Sequence, residues 1–479
     1  MARVGQEGAD AADDGADDGG PPPAPDGGAT LADASGLPDA PSENAPDATP
    51  PEAPTDAPFV TDLAATDYPT PDTAPAAAAD GPTETTDDLP IEVAIDLSPA
   101  PAPTDADADA NDDDAVDGDA GTATDVVDSA AEGLVDAPPE APLPPPPGPR
   151  SVGITWASIA NVYLELGSTA VLINGYITRL PGDDFFGGGG GLAFTHTNYA
   201  SDEPAIKSVM AALGGAARVN WLFTGHSHWD HSFDTATWSR LTGAPIVGPR
   251  TTCFQARAEG IPAAACTAVA GGEKLSLGPG VTVRVIRWNH SGDSVSNPEQ
   301  HNPVELSAVP QPDNQGRLRA GVAEDFPNGG GSRGFLFTIA GPDGPYSFFF
   351  EDSASADDLK TPIVIGGVNF GAPFSNLQAA LADASLTGVD LWIGTGGAPV
   401  AKLVVPILHP KAHLPIHWDG LFGAFKAGAP GYSDNDLRQY LSTQDVALIV
   451  PAQYMDKWSL SPTGIVPVDN RAAQHALGL

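Results

Sequence analysis

Cysteine is almost missing from this chain: Cys253 and Cys266 are the only two in 479 residues. No second Cys or His pair lies beside them, which disfavours a zinc finger. Reduced buried thiols and a disulfide both stay open. Closing the twelve-residue loop between them would contribute roughly 3 kcal/mol in the chain-entropy estimate, and an exported compartment would permit it. Long apolar runs are missing too. No stretch of about 18 or more apolar residues occurs, and Met1-Ala2-Arg3-Val4-Gly5 opens no apolar signal region. As written, the sequence carries neither a membrane span nor a signal peptide.

Basic residues are scarce and unevenly placed. Residues 1–150 hold 35 Asp and Glu against Arg3, Arg150 and no Lys, a net charge of −33, which leaves −9 for the rest. The first segment is built from Ala, Asp, Pro, Gly and Thr with no sustained periodicity, so it cannot bury enough surface to offset chain entropy. Residues 1–150 are therefore expected to be a disordered acidic tether, stiffened at Pro144 to Pro147. Asp105, Asp107 and Asp109 alternate but lack the glycine and distal glutamate of a calcium loop. Such a tether, with the cysteine pair, suits export or surface attachment through a segment upstream of Met1; a protein with neither is the alternative.

What is abundant is metal-ligand chemistry in one short stretch. Residues 219–223 (VNWLF) read as a strand, residues 233–241 turn helical, and between them His226, His228, Asp230 and His231 fall within six residues. Loops at strand ends are where a rigid sheet presents side chains to a substrate. Imidazole and carboxylate are ligands of zinc, and of iron or manganese. Three histidines and an aspartate so close outweigh a surface-loop reading.

The H-x-H-x-D-H pattern after a strand resembles the metallo-β-lactamase superfamily over roughly residues 151–455. The resemblance implies a four-layer αββα sandwich, an α/β (α+β) fold, preceded by the disordered acidic segment, with the domain at residues 151–465 and a peripheral tail at 466–479. It also implies further ligands downstream: His290 after the alternating strand 281–288, Asp352 at the end of strand 346–350, and His417 in Leu414-Pro415-Ile416-His417. Glu351 rivals Asp352, and His409 and His413 rival His417. In this reading His226, His228 and His290 hold one ion, Asp230, His231 and His417 a second, and Asp352 bridges them. Two zinc ions are the expectation, with iron or manganese fitting the same donors. Where relatives have a loop-supporting aspartate, this chain has Asn174.

Other segments are read from the residues. Residues 154–166 and 170–177 form two strands of a hairpin. The five glycines 187–191, after Phe185-Phe186, make a flap or a linker. Residues 293–333 are too long and polar for an ordinary connection and make a lid or specificity insertion, with His301 as a surface residue. Trp229, Trp288 and Trp418 either line an apolar pocket or belong to the core.

The functional expectation is a binuclear metallo-hydrolase whose bridging hydroxide attacks an ester, lactone, thioester or small phosphodiester, with Asp230 also moving a proton. β-Lactams are set aside because the family's β-lactamases commonly lack the bridging aspartate. A small or amphiphilic substrate fits; the acidic balance of the folded part disfavours nucleic acid. A non-catalytic metal-binding surface protein and a diiron redox protein are the alternatives on the same fold.

Overall fold

The computed structural model describes residues 94–96 and 147–479. The described residues belong to one of the two units into which the chain divides, Ala64–Leu479; the other, Met1–Leu63, lies outside them. The expected acidic tether therefore falls almost wholly outside the described residues. Within it, the backbone of Ala94–Asp96 pairs parallel with Lys274–Gly278.

The first six strands of the sandwich are β1 (Val152–Ser158), β2 (Asn161–Leu166), β3 (Thr169–Ile173), β4 (Trp221–Phe223), β5 (Ile246–Gly248) and β6 (Cys266–Ala268). The next seven are β7 (Lys274–Gly278), β8 (Val281–Trp288), β9 (Ser332–Gly341), β10 (Gly344–Phe350), β11 (Leu391–Gly394), β12 (Ala412–Pro415) and β13 (Ala447–Leu448). The last two, β14 (Asp456–Ser461) and β15 (Gly464–Val468), return to the first sheet, whose order is β15-β14-β1-β2-β3-β4-β5-β6. In the second sheet β7 to β13 lie side by side in sequence order.

Two-residue alternation decides which layer each side chain enters. In β8, Val283 and Val285 face the core between the sheets, while Ile286 and Trp288 join the core under the helices. In β10, Phe348 and Phe350 point inward and Phe349 outward. Phe337 and Phe348 stack across the β9–β10 pair with centroids 4.4 Å apart. Burying one such phenylalanine is worth about 1.5–3 kcal/mol. Against the outer face of the second sheet pack α4 (Pro373–Asp383), α5 (Gly397–Leu408) and α6 (Asn435–Thr443) through Leu377, Val404 and Leu441. The other outer face carries α1 (Glu203–Ala212), α2 (Thr235–Thr242), α3 (Arg250–Ala258) and α7 (Arg471–Leu477) through Ile206, Trp238, Ala256 and Leu477. The result is a four-layer αββα sandwich.

Three details depart from the sequence expectation. The first expected strand is two: Ser158 and Ile159 take positive φ, 139° and 44°, and the Ile159 N–H donates to the Asp419 carboxylate 2.9 Å away. A partner 260 residues distant leaves no local signal for that turn. The second strand stops at Ile173 because Asn174 is left-handed, φ 64°. Residues 466–479, expected to be peripheral, finish the first sheet and supply α7, whose Ala473 and Leu477 are buried. Among the described residues no helix is long and apolar enough to cross a membrane.

Cys253 on α3 and Cys266 at the start of β6 form a disulfide. Replacing both with alanine should lower the unfolding free energy by about 3 kcal/mol, measured by denaturant titration under non-reducing conditions. A change below about 0.5 kcal/mol would show that the link does not constrain the unfolded chain.

Candidate metal centre

The site is built at the strand ends of both sheets. β4 delivers the chain to Gly225, whose N–H donates to Asn174 Oδ1 at 3.0 Å. A Cβ on Gly225 would lie 2.0 Å from Asp352 Oδ2, so no side chain fits there. His226 and His228 follow, and Trp229–Ser232 close into a helical turn that brings Asp230 and His231 to the same side. β8 ends at Trp288 and places His290 two residues later. Beyond β12, His417 takes φ 64° and its N–H donates to Ile159 O at 2.9 Å.

These elements bring six of the expected residues together in two sets. One ring nitrogen each from His226, His228 and His290 lie within 4.8 Å of one another, as do ligand atoms of His226, Asp230 and His231. His417 Nε2 is 3.1 Å from Asp230 Oδ2 and 3.2 Å from His231 Nε2, and those two atoms are 3.1 Å apart. All but His417 are buried. The Nε2 atoms of His226 and His228 have no hydrogen-bond partner among the described residues. An unsatisfied buried polar atom costs about 1–3 kcal/mol, and a cation held by His226, His228 and His290 would remove that cost. The donors fit a metal ion.

Electrostatics agree with ligand duty. Burial pushes the imidazoles of His226, His228 and His290 below the ordinary histidine range, which keeps them neutral. Burial acts the same way on His231, yet Asp230 and Asp352 on either side lift it to about 10. Burial would raise Asp230, but His231 and His417 hold it well below the usual carboxylate range. Two buried carboxylates thus demand positive charge at this point.

Asp352, expected to bridge two ions, has a fully buried carboxylate that meets one histidine of each set. Oδ1 accepts from His226 Nδ1 at 3.1 Å and from Ser332 Oγ at 2.9 Å. Oδ2 accepts from Asn174 Nδ2 at 3.1 Å and lies 3.2 Å from His231 Nδ1. The two Nδ1 atoms that Asp352 meets thus belong to one ring of each set. The same geometry explains Asn174. Its amide can accept from Gly225 and donate to Asp352, whereas an aspartate would set a second carboxylate against the first.

The rivals do not join the cluster. Glu351 is buried, and its Oε1 accepts from Thr395 N at 2.7 Å. His413 packs on the Trp392 ring, 3.9 Å between centroids, and burial pushes it down to about 3. His409 ends α5 in a left-handed conformation. Trp288 belongs to the outer core, Trp229 packs among Tyr176, Phe185 and Phe422, and Trp418 stacks on Trp156. Core is the outcome for the first two.

The residues that follow the glycine run are tied to the insertion. Leu192 O and Ala193 O accept from Val322 N and Ala323 N of the insertion, both at 3.0 Å. The Glu324 carboxylate accepts from Thr195 N and Gly321 N at 3.1 Å. Of the two phenylalanines, Phe185 is buried and only Phe186 is exposed. The insertion in turn grips the metal loop: Ser227 Oγ donates to Pro327 O at 2.6 Å and accepts from Gly329 N at 2.7 Å. Gln255 Nε2 donates to Ser227 O and Asp325 O, at 2.9 and 3.0 Å. No motif marks Ser227 or Gln255 for these roles; the SHW context of Ser227 shows only that it sits between the candidate ligands.

Fold and cluster together define a class: an αββα sandwich with a histidine-rich centre at its strand ends. No protein-family model matches the sequence, and no curated protein matches it. Solved structures do. Igni18, a metallo hydrolase from the archaeon Ignicoccus hospitalis KIN4/I, is 13% identical with a TM-score of 0.36, covering 67% of this chain and 99% of its own. The metallo-β-lactamase fold protein YhfI from Bacillus subtilis is 11% identical, TM-score 0.35, covering 65% and 99%. An isothiocyanate hydrolase from Delia radicum gut bacteria is 12% identical, TM-score 0.37, covering 64% and 98%. The described residues themselves show a four-layer αββα sandwich with a histidine-rich cluster at its strand ends.

Gly225→Ala should lower the unfolding free energy by about 1–3 kcal/mol through overpacking against Asp352, read by denaturant titration. An unchanged midpoint would contradict the close contact.

Proposed function

We propose that this protein is a metal-dependent hydrolase of the metallo-β-lactamase superfamily with a two-ion centre. His226, His228 and His290 would hold one ion, and Asp230, His231 and His417 the other. The observation that carries this reading is the convergence of six ligand side chains, with buried Nε2 atoms of His226 and His228 left without partners. A non-catalytic scaffold would not need that set complete. A nitrogen-rich donor set favours zinc; iron or manganese fit as well.

When bound, such ions lower the pKa of water and polarise a carbonyl or phosphoryl oxygen. The chain does the rest. Asp352 holds His226 and His231 through Nδ1, so that each ring presents Nε2 to the centre. A carboxylate behind a ligating histidine fixes its tautomer and raises its basicity. Asp230, between His231 and His417, is placed to take a proton from the attacking water and pass it to the leaving group.

With Asp352 taken as a support for the rings rather than a bridging ligand, β-lactams rejoin the candidate substrates. The substrate class becomes a hydrolysable acyl or phosphoryl bond in a small or amphiphilic molecule: ester, lactone, thioester, cyclic amide or small phosphodiester.

Elemental mass spectrometry of the purified chain should find about two zinc ions per molecule, reduced in His417→Ala. A screen of chromogenic esters, lactones, thioesters, a β-lactam and a phosphodiester should then show hydrolysis that a chelator abolishes. Absence of metal, or metal unchanged by the substitution, would overturn the centre. Asp230→Asn with metal content intact and activity undiminished would overturn the proton-transfer role.

A further inference from the structure

The insertion carries one buried group that the proposed chemistry does not use. His301, expected at the surface, is 7% exposed and sits at the end of the short helix Pro298–His301. Its two ring nitrogens both face acceptors: Nδ1 lies 3.1 Å from Ser291 O, and Nε2 contacts the Asp358 carboxylate. Its own carbonyl accepts from Asn328 Nδ2 at 2.8 Å. Ser291 O is the same oxygen that meets His290 Nδ1, at 3.0 Å. One carbonyl therefore takes two imidazole N–H groups, one from a ligand candidate and one from the insertion.

The rest of this corner is stitched from the other side. Ser291 N donates to Ser353 Oγ at 2.9 Å, and Asn289 Nδ2 donates to Ser355 O at 3.0 Å. The turn after β8 is thus tied to the segment after β10, and Asp358 on that segment reaches back to His301. His290 Nδ1 has only Ser291 to engage, through its carbonyl and, at 3.4 Å, its hydroxyl. His226 and His231, by contrast, have the Asp352 carboxylate behind them.

We propose that His301 is a positioning residue for His290: by holding the Ser291 carbonyl, it fixes which His290 nitrogen faces the metal and couples the order of the insertion to metal binding. A carbonyl held from two sides cannot rotate away from His290 Nδ1, so that nitrogen keeps its proton and Nε2 keeps its lone pair. Metal at His290 and a docked insertion then favour each other, as linkage requires. This rests on the metal centre proposed above.

The test uses the full chain, with zinc as the probe. Zinc affinity is measured by competition with a chromogenic chelator for wild type, His301→Ala, His301→Gln and Asp358→Asn, and amide hydrogen exchange across residues 293–331 is followed with and without zinc. His301→Ala should weaken zinc binding by about tenfold and abolish the zinc-dependent slowing of exchange in the insertion seen in wild type. His301→Gln, which keeps an N–H for Ser291 O, should recover most of the affinity, and Asp358→Asn should fall between. A purely structural role would instead lower the unfolding midpoint of the zinc-free protein in His301→Ala by as much as that of the zinc-loaded protein, and would overturn the inference. So would zinc affinity within about twofold of wild type in His301→Ala. If wild type takes up no zinc, the metal centre itself fails and the inference falls with it.

Discussion

The buried carboxylate of Asp352 is the constraint on which the centre depends. It is wholly removed from water, accepts hydrogen bonds from His226, Ser332 and Asn174, and lies 3.2 Å from His231 Nδ1, partners drawn from the metal loop and from the ends of β3 and β9. Burying a charge is tolerable only when it is paired and hydrogen-bonded. Histidines and carboxylate therefore fix one another: the rings hold Asp352 below its ordinary carboxylate range, despite its burial, and Asp352 fixes the direction of the rings. Gly225 completes the fit, because only a residue without a side chain lets the loop lie against that carboxylate.

From this point the architecture radiates outward. The two sheets supply rigid strand ends, and the sandwich core between them keeps the ends in register. The insertion, the residues that follow the glycine run and the metal loop are joined by Glu324, Ser227 and Gln255 into one cover over the loop. His301 and Asp358 bring the same cover to His290. Several of these contacts are side chain to backbone, so they fix the path of irregular segments that no sheet ladder could hold.

The sequence made the sandwich and the histidine-rich cluster legible for physical reasons. Alternation in β8 and β10 reports two-sided burial directly, and the six candidate ligands stand just beyond strands in chain order. What stayed hidden was long-range. The turn at Ile159 depends on Asp419, and the integration of residues 466–479 depends on pairing of β14 with β1. The contacts of Asp352 were not legible, because a carboxylate at a strand end looks the same whether it faces an ion or a histidine ring. His301 looked like a surface residue because its partners, Ser291, Asn328 and Asp358, come from three separate segments.

The central claim is that two sets of ligands hold two ions while Asp352 supports the rings from behind. A crystal structure of the zinc-loaded protein with anomalous data at the zinc edge tests it most directly. The account predicts two anomalous peaks, one among His226, His228 and His290 and one among Asp230, His231 and His417, with the Asp352 oxygens remaining on the Nδ1 atoms. An Asp352 oxygen within about 2.2 Å of both ions, or no peak at the cluster, would contradict it.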